Sequence, residues 1–199
     1  MFRQGKKNNA PAWALTEIAV AKGKQLAKKY KVDEELVLAS LYLAHTVFSD
    51  KLRGRTQKNH EKLSSNLAQK YLNKWGVDKE KQQIIFNAIE AHHNKVPCLT
   101  KVAEVMKNAE CFKFLTLKGA LITLHDFGRR GLPYDLAVTE VIRKMEQKLS
   151  YLSLPEQKRE GKRNFAKIIE VLNFNPHPKP LSHLPSLKLR RTGRERVSA

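Results

Sequence analysis

The chain is poor in acid, in cysteine and in aromatic residues. Its 199 residues hold 19 Asp+Glu against 38 Lys+Arg, a formal net charge of +19. Such an excess favours an anionic partner without naming one. The two cysteines, Cys98 and Cys111, are too few for a disulfide framework or a thiolate zinc site, and they fit a reducing cytoplasm. Aromatic residues make up 8% of the chain, so no stacking platform for bases stands out. No apolar run approaches the ~20 residues of a membrane span. The opening MFRQGKKNNAPAW has lysines but no apolar stretch after them, and a secretory leader is not expected there. Neither a G-x-G-x-x-G nor a G-x-x-x-x-G-K-[ST] loop occurs, which leaves no phosphate-cradling loop.

What the chain does have is enough apolar residue, 41%, to build a core at this length. Its charge is uneven. Residues 1–31 and 155–199 carry +7 each, and the long middle, 32–154, carries +5. The last stretch contains Pro176, Pro178, Pro180 and Pro185 and no sustained apolar period. It reads as an extended or disordered basic tail over 175–199, following a domain over 1–174. Apolar spacing predicts eight helices, over 12–30, 33–48, 59–75, 78–93, 100–115, 119–127, 133–150 and 156–173. Asp33 and Asp78 suit N-caps, Gly76 and Gly128 suit helix stops, and Pro133 and Pro155 suit helix starts. No strand pattern is sustained. The expected fold class is therefore all-α.

The seven histidines carry the chemical signal. His177 and His183 fall in the proline-rich tail. His45 ends the apolar run LVLASLYLAH, His60 precedes the stripe of Leu63 and Leu67, and His92 continues the face of Ile85, Ala88 and Ile89. His93 is turned about 100° from His92. Imidazoles on the inward faces of separate helices are how an all-α domain builds a metal site. The plainer alternative is a set of separately satisfied core histidines.

The order VDEELVLASLYLAHTVFSD, then NHEKLSSNLAQKYLNKWGVDKEKQQIIFNAIEAHH, then KVAEVMKNAECFKFL resembles the HD-domain superfamily of metal-dependent phosphohydrolases. The resemblance spans roughly 12–150 and is strongest from 33 to 115. His45 takes the place of the histidine in the His-Asp pair, with Thr46 where the Asp would stand. His60, His92 and His93 match the later histidines. Asn108 stands at the first Asp of the Asp-Ala-Asp segment and Glu110 at the second. The first-helix histidine has no counterpart, and Glu17 is the only acid on that helix.

This resemblance implies an HD-like helical bundle with a partly eroded ligand set. His45, His60, His92 and His93 would hold a divalent metal ion, with Thr46 and Asn108 as minor oxygen partners. Two lost carboxylates favour Zn²⁺, Fe²⁺ or Ni²⁺ over Mn²⁺ and Mg²⁺. The implied function is hydrolysis or binding of a phosphate ester, nucleotide or other phosphorylated small molecule; no catalytic residue is assigned. Protonated histidines with nearby Lys and Arg would instead make a metal-free phosphate pocket. A rival frame takes LITLHDFGRRG as the His-Asp motif, with His125 and Asp126 as its pair. A different class of function is a catalytically inactive HD-like protein whose basic surface binds nucleic acid or another anion. In that reading Arg190, Arg191, Arg194 and Arg196 of the tail contact phosphates.

Overall fold

A computed structural model of the chain describes residues 13–49 and 59–172. The basic tail, with Arg190, Arg191, Arg194 and Arg196, lies outside the described residues. Among those residues the fold is all-α: α1 (Trp13–Tyr30), α2 (Glu34–Leu43), α3 (His60–Lys74), α4 (Lys79–Ala91), α5 (Lys101–Phe112), α6 (Leu117–Arg129), α7 (Tyr134–Tyr151) and α8 (Pro155–Leu172). Short 3-10 turns, Thr46–Ser49 and Lys113–Leu115, follow α2 and α5. No described helix is long and apolar enough to cross a membrane.

Local chemistry sets the helix starts. Asp33 accepts from the Leu36 N–H and Asp78 from the Lys81 N–H. Thr100 and Thr116 do the same for the Ala103 and Gly119 N–H groups. Each such cap stabilises its helix by about 1 kcal/mol. Gly76 stops α3 in the left-handed region, as its position after the apolar stripe predicts. Gly128 does not stop α6. That helix runs to Arg129, and the left-handed residue of the turn is Gly131.

Helix α5 is the pivot of the fold. Ten of its twelve residues are buried. Its first turns pack with α1–α4 around Leu26, Val37, Leu41, Leu72, Ile85, Ile89 and Met106. Its end joins α6–α8 around Leu115, Val141, Met145, Leu152 and Ile168. A fully buried side chain of this size contributes about 2 kcal/mol relative to an exposed one. Close approach is built in at Gly119, where a Cβ would lie 1.8 Å from the Lys113 carbonyl oxygen. The end of α5 therefore sits between two cores, next to the ends of α2 and α4 and the start of α3.

Candidate metal centre

His45 follows the end of α2, His60 opens α3, and His92 caps the end of α4. Left-handed turns aim two of these ends. Asn59, just before His60, has φ 73, and Asn94, just after His93, has φ 62. Asn tolerates this conformation because its short amide can bond locally. The three rings meet almost symmetrically: centroids lie 5.5 Å apart for His45–His60, 5.3 Å for His45–His92 and 5.4 Å for His60–His92. One ring nitrogen from each lies within 4.8 Å of the others. A second group with the same spacing joins His60, Glu61 and His93. The four histidines predicted to share a site are thus brought together, in two overlapping triads that have His60 in common.

Hydrogen bonds around the rings assign the nitrogens. His92 is fully buried, and its Nδ1–H donates to the Ile89 carbonyl at 2.5 Å. Its Nε2 is buried without a hydrogen-bond partner among the described residues. His45 Nε2 lies 2.6 Å from the Glu110 carboxylate, an acceptor that takes the N–H and leaves the ring lone pair on Nδ1. A carboxylate or carbonyl on the far nitrogen is the usual outer support of a metal-ligating histidine. Burial disfavours the charged form of all three affected rings. It lowers the pKa of His45 against the opposing pull of Glu110, and it lowers His92 further, with His45 adding to the effect. His93 is lowered by burial and then by His92. Neutral imidazoles are the ligand form.

The carboxylates play unequal parts. Burial opposes ionisation of Glu110, yet the Lys113 ammonium and His45 outweigh it and hold the carboxyl well below the usual range. Lys113 forms a direct ion pair with Glu110, and its Nζ lies 3.5 Å from His45 Nε2. Glu61 is paired with Lys95 at 2.8 Å and lies 3.6 Å from both His60 Nδ1 and His93 Nδ1. Burial raises its pKa, but the Lys95 hydrogen bond and other contacts bring it below the ordinary value.

The remaining predicted residues stand apart. Thr46 is buried beside His45 and brings a neutral hydroxyl. Asn108 is fully buried, but its amide is spent elsewhere: it donates to the Glu104 carbonyl and Ser153 Oγ and accepts from the Ser153 and Leu154 N–H groups. It ties α5 to the α7–α8 corner and has no oxygen left for a metal. Glu17 accepts from the Trp13 indole N–H on α1. His125 is exposed on α6, in a shallow groove with Leu117, Lys118, Leu121 and Ile122, and Asp126 pairs with Arg130. The rival frame is therefore not assembled: its His-Asp pair faces outward, away from the other histidines.

Reasoning from sequence left out Glu61, Lys113 and Lys148 as site residues. Lys148 on α7 is only 3% exposed, and its ammonium lies 5.3 Å from the Tyr151 ring, itself 6.5 Å from His93. The one available signal was position: Lys113 and Lys148 fall where the apolar stripes of α5 and α7 continue.

The triad fits a metal ion. Its donors are nitrogen, the tautomers of His45 and His92 are fixed by the Glu110 carboxylate and the Ile89 carbonyl, and His92 Nε2 is a buried lone pair with no hydrogen-bond partner among the described residues. Comparison of the chain with protein-family models, with curated proteins and with solved structures finds no match.

Proposed function

We propose that the protein is an HD-type metal-dependent phosphohydrolase acting on a phosphate ester of a small molecule. The observation that carries this reading is the convergence of His45, His60 and His92 from three helices onto one point. An all-nitrogen triad selects borderline ions such as Zn²⁺, Fe²⁺ or Ni²⁺ over Mn²⁺ and Mg²⁺. When bound, the ion supplies Lewis acidity to a water and to a phosphoryl oxygen. The chain's own residues do the rest. Ile89 and Glu110 orient two of the rings. Lys113 balances Glu110, which keeps that carboxylate on His45 rather than open to solvent. The half-buried flank at His93 and Tyr151 is the side from which a substrate would approach.

The test is elemental analysis of the purified chain, followed by hydrolysis of p-nitrophenyl phosphate with Zn²⁺, Fe²⁺, Ni²⁺, Co²⁺ and Mn²⁺. Retained metal and turnover lost in His92→Ala support the reading. Absence of both metal and turnover rejects it.

A second reading, binding without turnover, is favoured by one observation. Both carboxylates beside the first triad are already paired with lysine, Glu110 with Lys113 and Glu61 with Lys95, so the site keeps less negative charge than a hydrolytic metal centre with acidic ligands. In that reading the basic surface, including the tail arginines, holds nucleic acid or another anion, and binding weakens steeply with salt.

A further inference from the structure

Three lysines converge on one aromatic ring beside the histidines. Lys113, Lys144 and Lys148 place their ammonium groups 5.1, 4.8 and 5.7 Å from the Phe114 ring centroid. Lys113 is 1% exposed and Lys148 is 3% exposed. Lysine is almost never buried unless it is paired. Lys113 has Glu110, but Glu110 is shared with His45. Among the described residues Lys144 and Lys148 form no ion pair and no hydrogen bond. The Phe114 face offsets part of their charge, about 0.5–2 kcal/mol per contact, against a desolvation cost of several kcal/mol per ion.

We propose that Lys113, Lys144 and Lys148 form a receptor for a dianionic phosphoryl group, and that this receptor binds its ligand without any metal ion. Its substrate class rests on the phosphohydrolase reading above; the lysine geometry does not. The charge arithmetic favours a dianion, because two of the three ammonium groups lack an acidic partner. Phosphate offers three terminal oxygens to donors arranged around it, and lysine binds it as a point charge. Lys113 and Lys148 lie too deep to meet the internal phosphates of a duplex, which favours a terminal phosphoryl group. Location agrees: Lys113 touches the histidines through Glu110 and His45, and Lys148 reaches them through Tyr151 and His93. Burial, then the neighbouring ammonium groups, pull the Lys144 pKa down to about 8, which a bound anion would reverse. The work of the pocket is thereby divided. Neutral imidazoles take the metal, and the anion falls to the lysines rather than to protonated histidines.

The experiment is calorimetric titration of the chelator-treated, full-length chain with phenyl phosphate and, separately, with inorganic phosphate. The metal-free wild type is expected to bind at least one of the two. Tighter binding of phenyl phosphate identifies an ester receptor, and tighter binding of inorganic phosphate a receptor for the free ion; both uphold the proposal. Lys144→Met and Lys148→Met should each weaken binding by about tenfold, the loss of one charge-assisted hydrogen bond. Lys148→Arg should retain most of it, and Lys118→Met, on exposed α6 surface, all of it. Circular dichroism confirms that each variant is folded. No binding of either probe to the metal-free wild type, or wild-type binding by folded Lys148→Met, overturns the proposal. Lysine-dependent binding without metal or turnover would reject the hydrolase reading and leave the receptor standing. Turnover with a KM indifferent to Lys148→Met would do the reverse.

Discussion

The Nδ1–H of His92 donates to the carbonyl of Ile89, three residues earlier on the same helix, and this one bond decides the chemistry of the ring. It commits the proton to Nδ1 and turns Nε2 into a buried lone pair. A neutral ring held this way loses little freedom on gaining a metal ion. Replacing His92 with Ala should lower metal retention by at least about tenfold, since even outer partners of such ligands are worth 10–100-fold. Elemental analysis of the two proteins purified in parallel checks this. Equal metal content would move the binding site elsewhere.

Glu110 acts through His45, and its removal has two separable consequences. Glu110→Gln weakens the hydrogen bond that orients His45, at an expected cost of about 10–100-fold in metal affinity. It also strands the buried Lys113 ammonium, which should destabilise the fold by about 3 kcal/mol. The double variant Glu110→Gln, Lys113→Met removes the stranded charge. Its urea midpoint should recover while its metal affinity stays low. Recovery of both together would mean that Glu110 matters only as a partner for Lys113.

Asn108 and Glu110 lie two residues apart on α5, about 200° around the helix, and so face opposite ways. Asn108 faces Ser153 and Leu154; Glu110 faces His45. Asn108→Asp puts a carboxylate back at the position where the family resemblance expects one. It should nevertheless bind no additional metal, and it should cost about 3 kcal/mol in denaturant unfolding, because a charge replaces a fully satisfied buried amide. A rise in metal stoichiometry would contradict the structural role assigned to Asn108.

That pair also shows what the sequence makes legible. Apolar spacing and the caps at Asp33 and Asp78 place the helices closely, since both act within a few residues. The four histidines stand out for the same reason: each lies on or next to an apolar stripe. The resemblance aligns both 108 and 110 with acids, and only the packing of α5 against α7 and α8 decides which of them faces the histidines. Lys113 and Lys148 were hidden differently. Lysine on a helix ordinarily reads as solvated surface; Lys113 is buried with its sequence neighbours Glu110 and Phe114 only because α7 and α8 cover them, and Lys148 meets Phe114 across the fold.

Gly119 tests the joint between the two cores. Its missing Cβ leaves room for the Lys113 carbonyl oxygen, which a methyl group would meet at 1.8 Å. Backbone cannot swing aside as a flexible side chain can. Gly119→Ala should therefore lower stability by about 3 kcal/mol, at the upper end for overpacking, although alanine is the better helix former. Thermal unfolding of the two proteins measures it. A neutral or stabilising effect would mean that α6 shifts freely against the end of α5.

Lys144 gives a pH signature whose sign follows from linkage. Burial and the charges of Lys148 and Lys113 depress its folded pKa to about 8, below the value of about 10.4 for an unfolded lysine. Below about pH 8 both states are protonated, and the folded state bears the full cost of the crowded charge. Between about pH 8 and 10.4 the folded protein releases the proton first, and the cost fades; above that range neither state is charged. Comparison with Lys144→Met isolates this group from Cys111, whose buried thiol is pushed up to about 11 and titrates in an overlapping range. The variant should be the more stable protein at pH 7, with the gap closing as the pH rises through that window. Added phosphate should close the same gap at pH 7, because it binds the wild type more tightly than the variant. Urea unfolding of both proteins at pH 7, 8.5 and 10, with and without phosphate, reads both effects. A gap that widens with pH would place the Lys144 pKa above the ordinary value, and its ammonium would then have a stabilising partner.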